Sequence, residues 1–184
     1  MRLFRPAVAA ALLLAVPAAQ AGTEKRPSPS GTTTAWISTG EPFALELIQL
    51  TPDVVRAMYG NRKFPKFLLD EIAGYCVFGS VARNESQAPL SYDVHDWRYT
   101  PRGGKPQKLR TKVEWLAHWK KHGVDFSYSI LPAALTFEPG DWGQGLTTVK
   151  LPPGAVFDLT FTWTQNGKKH SARLEGVECA RNPE

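Results

Sequence analysis

Three side chains on one predicted helix have the spacing of a metal site. His118 and His122 stand four residues apart and Glu114 stands one turn earlier. Residues four apart share a helix face, and an i, i+4 histidine pair can ligate Zn²⁺ or Cu²⁺. The competing reading is a solvated polar stripe, which the adjoining Lys120 and Lys121 favour. A site would need a further donor, for which His95 is the candidate. His170 reads instead as a packed, hydrogen-bonded histidine opposite Trp163.

Two other constellations could bind rather than react. The segment Asp93-Val94-His95-Asp96-Trp97-Arg98 is dense in polar groups. As a strand it would place Asp93, His95 and Trp97 on one face, either a binding surface or an edge guarded by charge. The run 138–145 surrounds Trp142 with Gly140, Gly143 and Gly145, next to Asp141. It is expected to be a flexible loop with Asp141 and Trp142 as a recognition tip for a protein or carbohydrate partner. The alternative is that Trp142 folds back as a plug of the core. Arg102, Lys105, Lys108, Arg110 and Lys112 form a basic run, read as a soluble loop or a contact for an anionic partner.

Catalytic signatures for zinc proteases, serine hydrolases, P-loops and dinucleotide sites do not occur in the chain. The expected function is therefore an exported, non-catalytic binding or assembly module. A copper- or zinc-handling periplasmic protein and an extracytoplasmic enzyme are the alternatives. No cofactor is assigned beyond that possible copper or zinc.

Export is expected from residues 1–21. Arg2 and Arg5 precede an apolar run over 7–16, and Ala19-Gln20-Ala21 offers small residues at a cleavage site. The run is about half of the ~20 residues a spanning helix needs, so it reads as a signal peptide for the periplasm or medium. Of 22 basic residues, Arg2 and Arg5 leave with it, so 20 face 17 acidic ones. That surplus is mild, and nucleic acid is not an expected partner of an exported chain. Cys76 and Cys179, a pair in an oxidising compartment, are expected to form a disulfide. The Asn84-Glu85-Ser86 sequon matters only in a glycosylating host.

The elements that must position these residues follow from punctuation and periodicity. Residues 22–35, rich in Pro, Ser, Thr and Gly, read as a disordered leader to one domain over 36–184. Phe43, Leu45 and Leu47 alternate as one strand face. Thr51-Pro52 opens a short helix stopped by Gly60, and Pro65 opens another that ends at Gly74. Strands are expected over 75–83 and 90–99. Thr111 and Glu114 form a capping box for a helix ending at Gly123, with Val113, Trp115, Leu116 and Trp119 on one arc. Residues 126–137 read as extended, broken near Pro132. The closing hairpin turns at Asn166-Gly167. Its tight turn would set Trp163 opposite His170, Phe161 opposite Ala172 and Leu159 opposite Leu174, with a break near Gly176. Short strands, brief helices and one disulfide predict a mainly β chain, an immunoglobulin-like antiparallel β-sandwich, with a jelly roll as runner-up.

Overall fold

The computed structural model describes residues 22–182. The expected signal peptide lies outside them. Two antiparallel sheets pack face to face as a β-sandwich, with three short helices against the outside of one sheet. The first sheet holds β1 (Gly22–Pro27), β2 (Thr34–Thr39), β3 (Phe43–Leu50), β4 (Cys76–Asn84) and β9 (Trp142–Val149), in that spatial order. The second is built on the hairpin of β10 (Val156–Gln165) and β11 (Lys168–Glu178). On its other side β10 takes β5 (Leu90–Asp93) and β6 (Arg98–Pro101), which in turn pair with β8 (Ala134–Phe137) and β7 (Gln107–Lys108).

Alternation explains the sandwich. Phe43, Leu45, Leu47 and Phe78 point inward from the first sheet; Phe157, Leu159, Phe161 and Trp163 meet them from the second. Aromatic rings interlock there, with Phe43 within 5.4–6.3 Å of Tyr92, Trp97, Phe161 and Trp163. Such pairs add to the area they remove from water. The hairpin has the register expected of its two-residue turn, Trp163 facing His170 and Leu159 facing Leu174. The register shifts between Phe157 and Leu159, where the Gly176 amide, at φ 61°, donates to Asp158 Oδ1.

A second, smaller core lies outside the first sheet. Helices α1 (Pro52–Gly60), α2 (Lys66–Ala73) and α3 (Lys112–Lys121) bury Val55, Tyr59, Leu68, Ile72, Trp115 and Trp119 against Val77 and Leu146. Thr51 and Thr111 cap α1 and α3 as expected, the latter in a full capping box. Trp115 and Trp119 are buried, whereas Val113, placed on the same arc by its spacing, is exposed. It stands in the first turn of α3.

A disulfide joins Cys76, at the start of β4, to Cys179, just past β11. It ties the two sheets together across 103 residues of chain. Among the described residues, no helix is long and apolar enough to cross a membrane.

The leader expected over 22–35 is corrected. Gly22–Pro27 is an edge strand paired along its length with β2. Its side chains are mostly exposed, which is why composition showed nothing to bury; backbone pairing and polar anchors hold it instead. The Thr23 hydroxyl accepts from the Glu175 amide of β11, and Arg26 reaches Glu46 of β3.

Candidate functional site

Trp142 opens β9 at the edge of the first sheet, directly opposite Arg83 of β4. Paired residues share a face, and neighbouring Gly143 lies opposite inward-facing Ala82. Trp142 therefore points outward, and it is 60% exposed. The plug alternative is excluded by that exposure.

The mount beneath Trp142 is rigid, which corrects the flexible loop expected over 138–145. Only 138–141 form a turn, closed by the Asp141 amide on the Glu138 carbonyl and by the Glu138 amide on Asp141 Oδ2. Gly140 supplies the left-handed conformation at φ 83°. Asn84 then clamps the turn with its backbone, donating to the Asp141 carbonyl and accepting from the Gly140 amide. Its side chain donates to the carbonyls of Ala88 and Phe137, at 2.9 and 3.2 Å, and accepts from Ser86. Asn84 is 1% exposed, so the sequon asparagine is an internal strut. Gly145 is needed for contact: a Cβ there would lie 2.4 Å from the Leu131 backbone.

The outer face beside Trp142 contains three residues that the sequence reading did not single out. Glu46 alternates outward on β3, yet its side chain is only 6% exposed. Arg26 donates to its Oε1 at 2.9 Å, and Arg83 lies 3.5 Å from its Oε2. Both arginine side chains remain about half exposed. The signal was available in the strand pattern: Phe43, Leu45 and Leu47 inside require Ala44 and Glu46 outside.

The segment 93–98 does not form the continuous strand expected of it. Residues Val94–Asp96 make one 3-10 turn between β5 and β6. Asp93 caps that turn by accepting from the His95 amide at 2.8 Å. The turn breaks alternation, so Asp93 and His95 stay exposed while Trp97 is fully buried. Trp97 donates its indole N–H to the Thr162 carbonyl, in the interval of β10 that neither β5 nor β6 pairs. Its expected role as a binding residue is therefore corrected to a core role. Asp93 lines an open trough of about 490 Å³ on the second sheet with Asp96, Lys169, Leu135 and Trp163. It does not share a surface with Trp142.

The proposed ligands of α3 are engaged elsewhere. Glu114 Oε2 accepts from the Thr111 amide and hydroxyl at 2.7 and 2.8 Å. The Thr111 amide is the main reason that its carboxyl sits below the usual range; burial opposes, and Arg110 and His95 add weaker attraction. His118 Nε2 meets Glu71 Oε2 at 2.7 Å. His118 and His122 stand edge to face, 4.9 Å between centroids, with His122 also against Phe67. Among the described residues, no three His, Cys, Asp or Glu side chains are grouped to hold a metal ion. The capping box needs the Glu114 carboxylate turned toward the helix start, away from His118.

Part of the basic run is likewise structural. Arg110 donates to Glu71 Oε1 at 2.7 Å and lies 3.8 Å over the Trp115 ring. Glu71 thus bridges α2 to Arg110 and to α3. Burial alone would raise its carboxyl, but the Arg110 and His118 contacts outweigh that and hold it low. His170 stacks flat on Trp163 at 5.5 Å and is exposed rather than buried.

Fold and site together define a disulfide-tied β-sandwich with a helical pack on one sheet and an exposed tryptophan on the other end of that sheet. Set beside known proteins, the chain matches no family model, no curated sequence and no solved structure.

Proposed function

We propose that this chain is an exported, non-catalytic binding module whose capture surface is the outer face of the first sheet around Trp142. The observation that carries this reading is the mounting of Trp142. A large aromatic is held outward by a turn that Asn84 clamps with backbone and side-chain hydrogen bonds. Leaving an indole exposed forgoes the free energy of its burial, and a rigid mount lowers the ordering cost of binding. Export is supported by the signal-like residues 1–21 and by the Cys76–Cys179 bond, which suits an oxidising compartment.

The test is a defined array of glycans and peptides probed with the oxidised protein and with Trp142→Ala. At least one ligand should be retained by the first and lost by the second, with both giving the same melting curve. Identical retention profiles would remove Trp142 from the binding surface.

A further inference from the structure

We infer that the outer face of the first sheet binds an acidic saccharide, a glycan bearing uronic-type carboxylates, with Trp142 as the stacking platform and Arg83 as the carboxylate anchor. This rests on the binding-module reading and adds the ligand's chemistry.

Charge comes first. Glu46 is one carboxylate shared by two guanidiniums, Arg26 on one oxygen and Arg83 on the other. These three residues carry one net positive charge beside Trp142, and exposed Glu24 lies on the same face at its far edge, next to Arg26. A guanidinium has five N–H donors in a planar fork, and contact with a single Glu46 oxygen leaves Arg83 donors for a second carboxylate. A 3.5 Å ion pair with Glu46 keeps Arg83 on this face and leaves its planar fork able to turn toward a ligand. The bond expected to an incoming carboxylate is charge-assisted and bidentate.

The ring comes next. Trp142 pairs with Arg83 across the ladder, which sets their Cβ atoms roughly 5 Å apart on one face. That is about the width of a pyranose ring, so one sugar can lie on the indole while its carboxylate meets Arg83. Among the described residues, no aromatic ring stacks on Trp142 and no cation sits over it, although both kinds of contact recur elsewhere in the protein. Gln144, the next outward residue of β9, is exposed and can exchange hydrogen bonds with hydroxyls.

A peptide is the competing occupant. An extended peptide would add to the β9 edge. That edge is closed at Leu146, whose amide donates to the Ser129 carbonyl and whose carbonyl accepts from the Leu131 amide, while Trp142 and Gln144 lie on its open part, so strand addition by a peptide is the outcome that tetraglutamate tests. Gly145 already stands against the Leu131 backbone. What remains open is a flat face combining one indole, an amide and a guanidinium, the complement of a ring with an apolar C–H side and a charged rim.

The experiment is an NMR titration of the ¹⁵N-labelled, oxidised protein with a galacturonic acid tetramer, a neutral galactose tetramer and tetraglutamate. The indole N–H of Trp142 and the Nε–H of Arg83 are followed. The acidic sugar should shift both saturably, and added salt should weaken it. Trp142→Ala and Arg83→Gln should each weaken binding by about tenfold or more, as loss of a stacked ring or a charge-assisted pair predicts. The melting curve of Trp142→Ala, an exposed site, controls for folding. The neutral tetramer should bind at least about tenfold more weakly, the charge-assisted contact being absent. Equal binding of the neutral sugar or of tetraglutamate would overturn the acidic-saccharide assignment while leaving Trp142 as a binding residue. Unmoved Trp142 and Arg83 signals with the acidic tetramer would overturn the assignment outright. Only the array comparison of Trp142→Ala decides the broader reading.

Discussion

At the scale of single residues, Trp142 and Asn84 make opposite predictions. Trp142 is exposed and its removal empties no core. Trp142→Ala should leave stability within about 0.5 kcal/mol, measured by denaturant melt. Asn84 is buried and its side chain satisfies two backbone carbonyls. Asn84→Ala should cost about 1–3 kcal/mol, the range for orphaning buried polar partners, and should also displace Trp142. The same melt checks the first effect, and the Trp142 indole resonance checks the second. A loss confined to stability, with that resonance unmoved, would separate the clamp from the mount. Sequence alone drew attention to Trp142 through its type and neighbours. It assigned Gly145 wrongly, to flexibility, because its close approach to the Leu131 backbone depends on a segment outside β9.

At the scale of elements, the helical pack hinges on Glu71, which joins α2 to Arg110 and His118. Its carboxyl is held below its usual range. On acidification the unfolded chain therefore takes up this proton before the folded one does. The stabilisation is present above the ordinary glutamate value of about 4.3 and is lost as pH falls through the lower folded value. Glu71→Gln should lower the melting temperature at pH 6, and the gap from the parent protein should close with acidification below about pH 4. A gap that stays constant across that window would show that the ion pairs do not carry it. The capping box of α3 was legible in Thr111 and Glu114 because it is local. That local use turns the Glu114 carboxylate toward the helix start, while His118 is drawn to Glu71, so the three side chains do not converge. The 3-10 turn over Val94–Asp96 was not legible. It turns Trp97 inward to the Thr162 carbonyl of β10, and nothing in the period-two pattern of 90–99 announces a gap on the other strand.

At the scale of the whole molecule, the disulfide closes a long loop between the two sheets. For a loop of about 100 residues the chain-entropy account allows at most roughly 4.7 kcal/mol. Alkylation of the oxidised protein without reductant should label neither Cys76 nor Cys179, and reduction should lower the melting temperature by many degrees. Two readily alkylated thiols would refute the bond. By itself the sequence determined what short-range rules can decide. Alternation set the inner faces of β3 and β10, Asn166-Gly167 set the hairpin register, threonine caps set the starts of α1 and α3, and the presence of just two cysteines set the bridge. These depend on residues a few positions apart or on chemistry with one possible partner. Only the tertiary structure decided which polar groups meet: Glu46 with Arg26 and Arg83, Glu71 with Arg110 and His118, Thr23 with β11, Trp97 with Thr162. Each pairing depends on which strands and helices lie side by side, and a side chain's own type and spacing do not determine that.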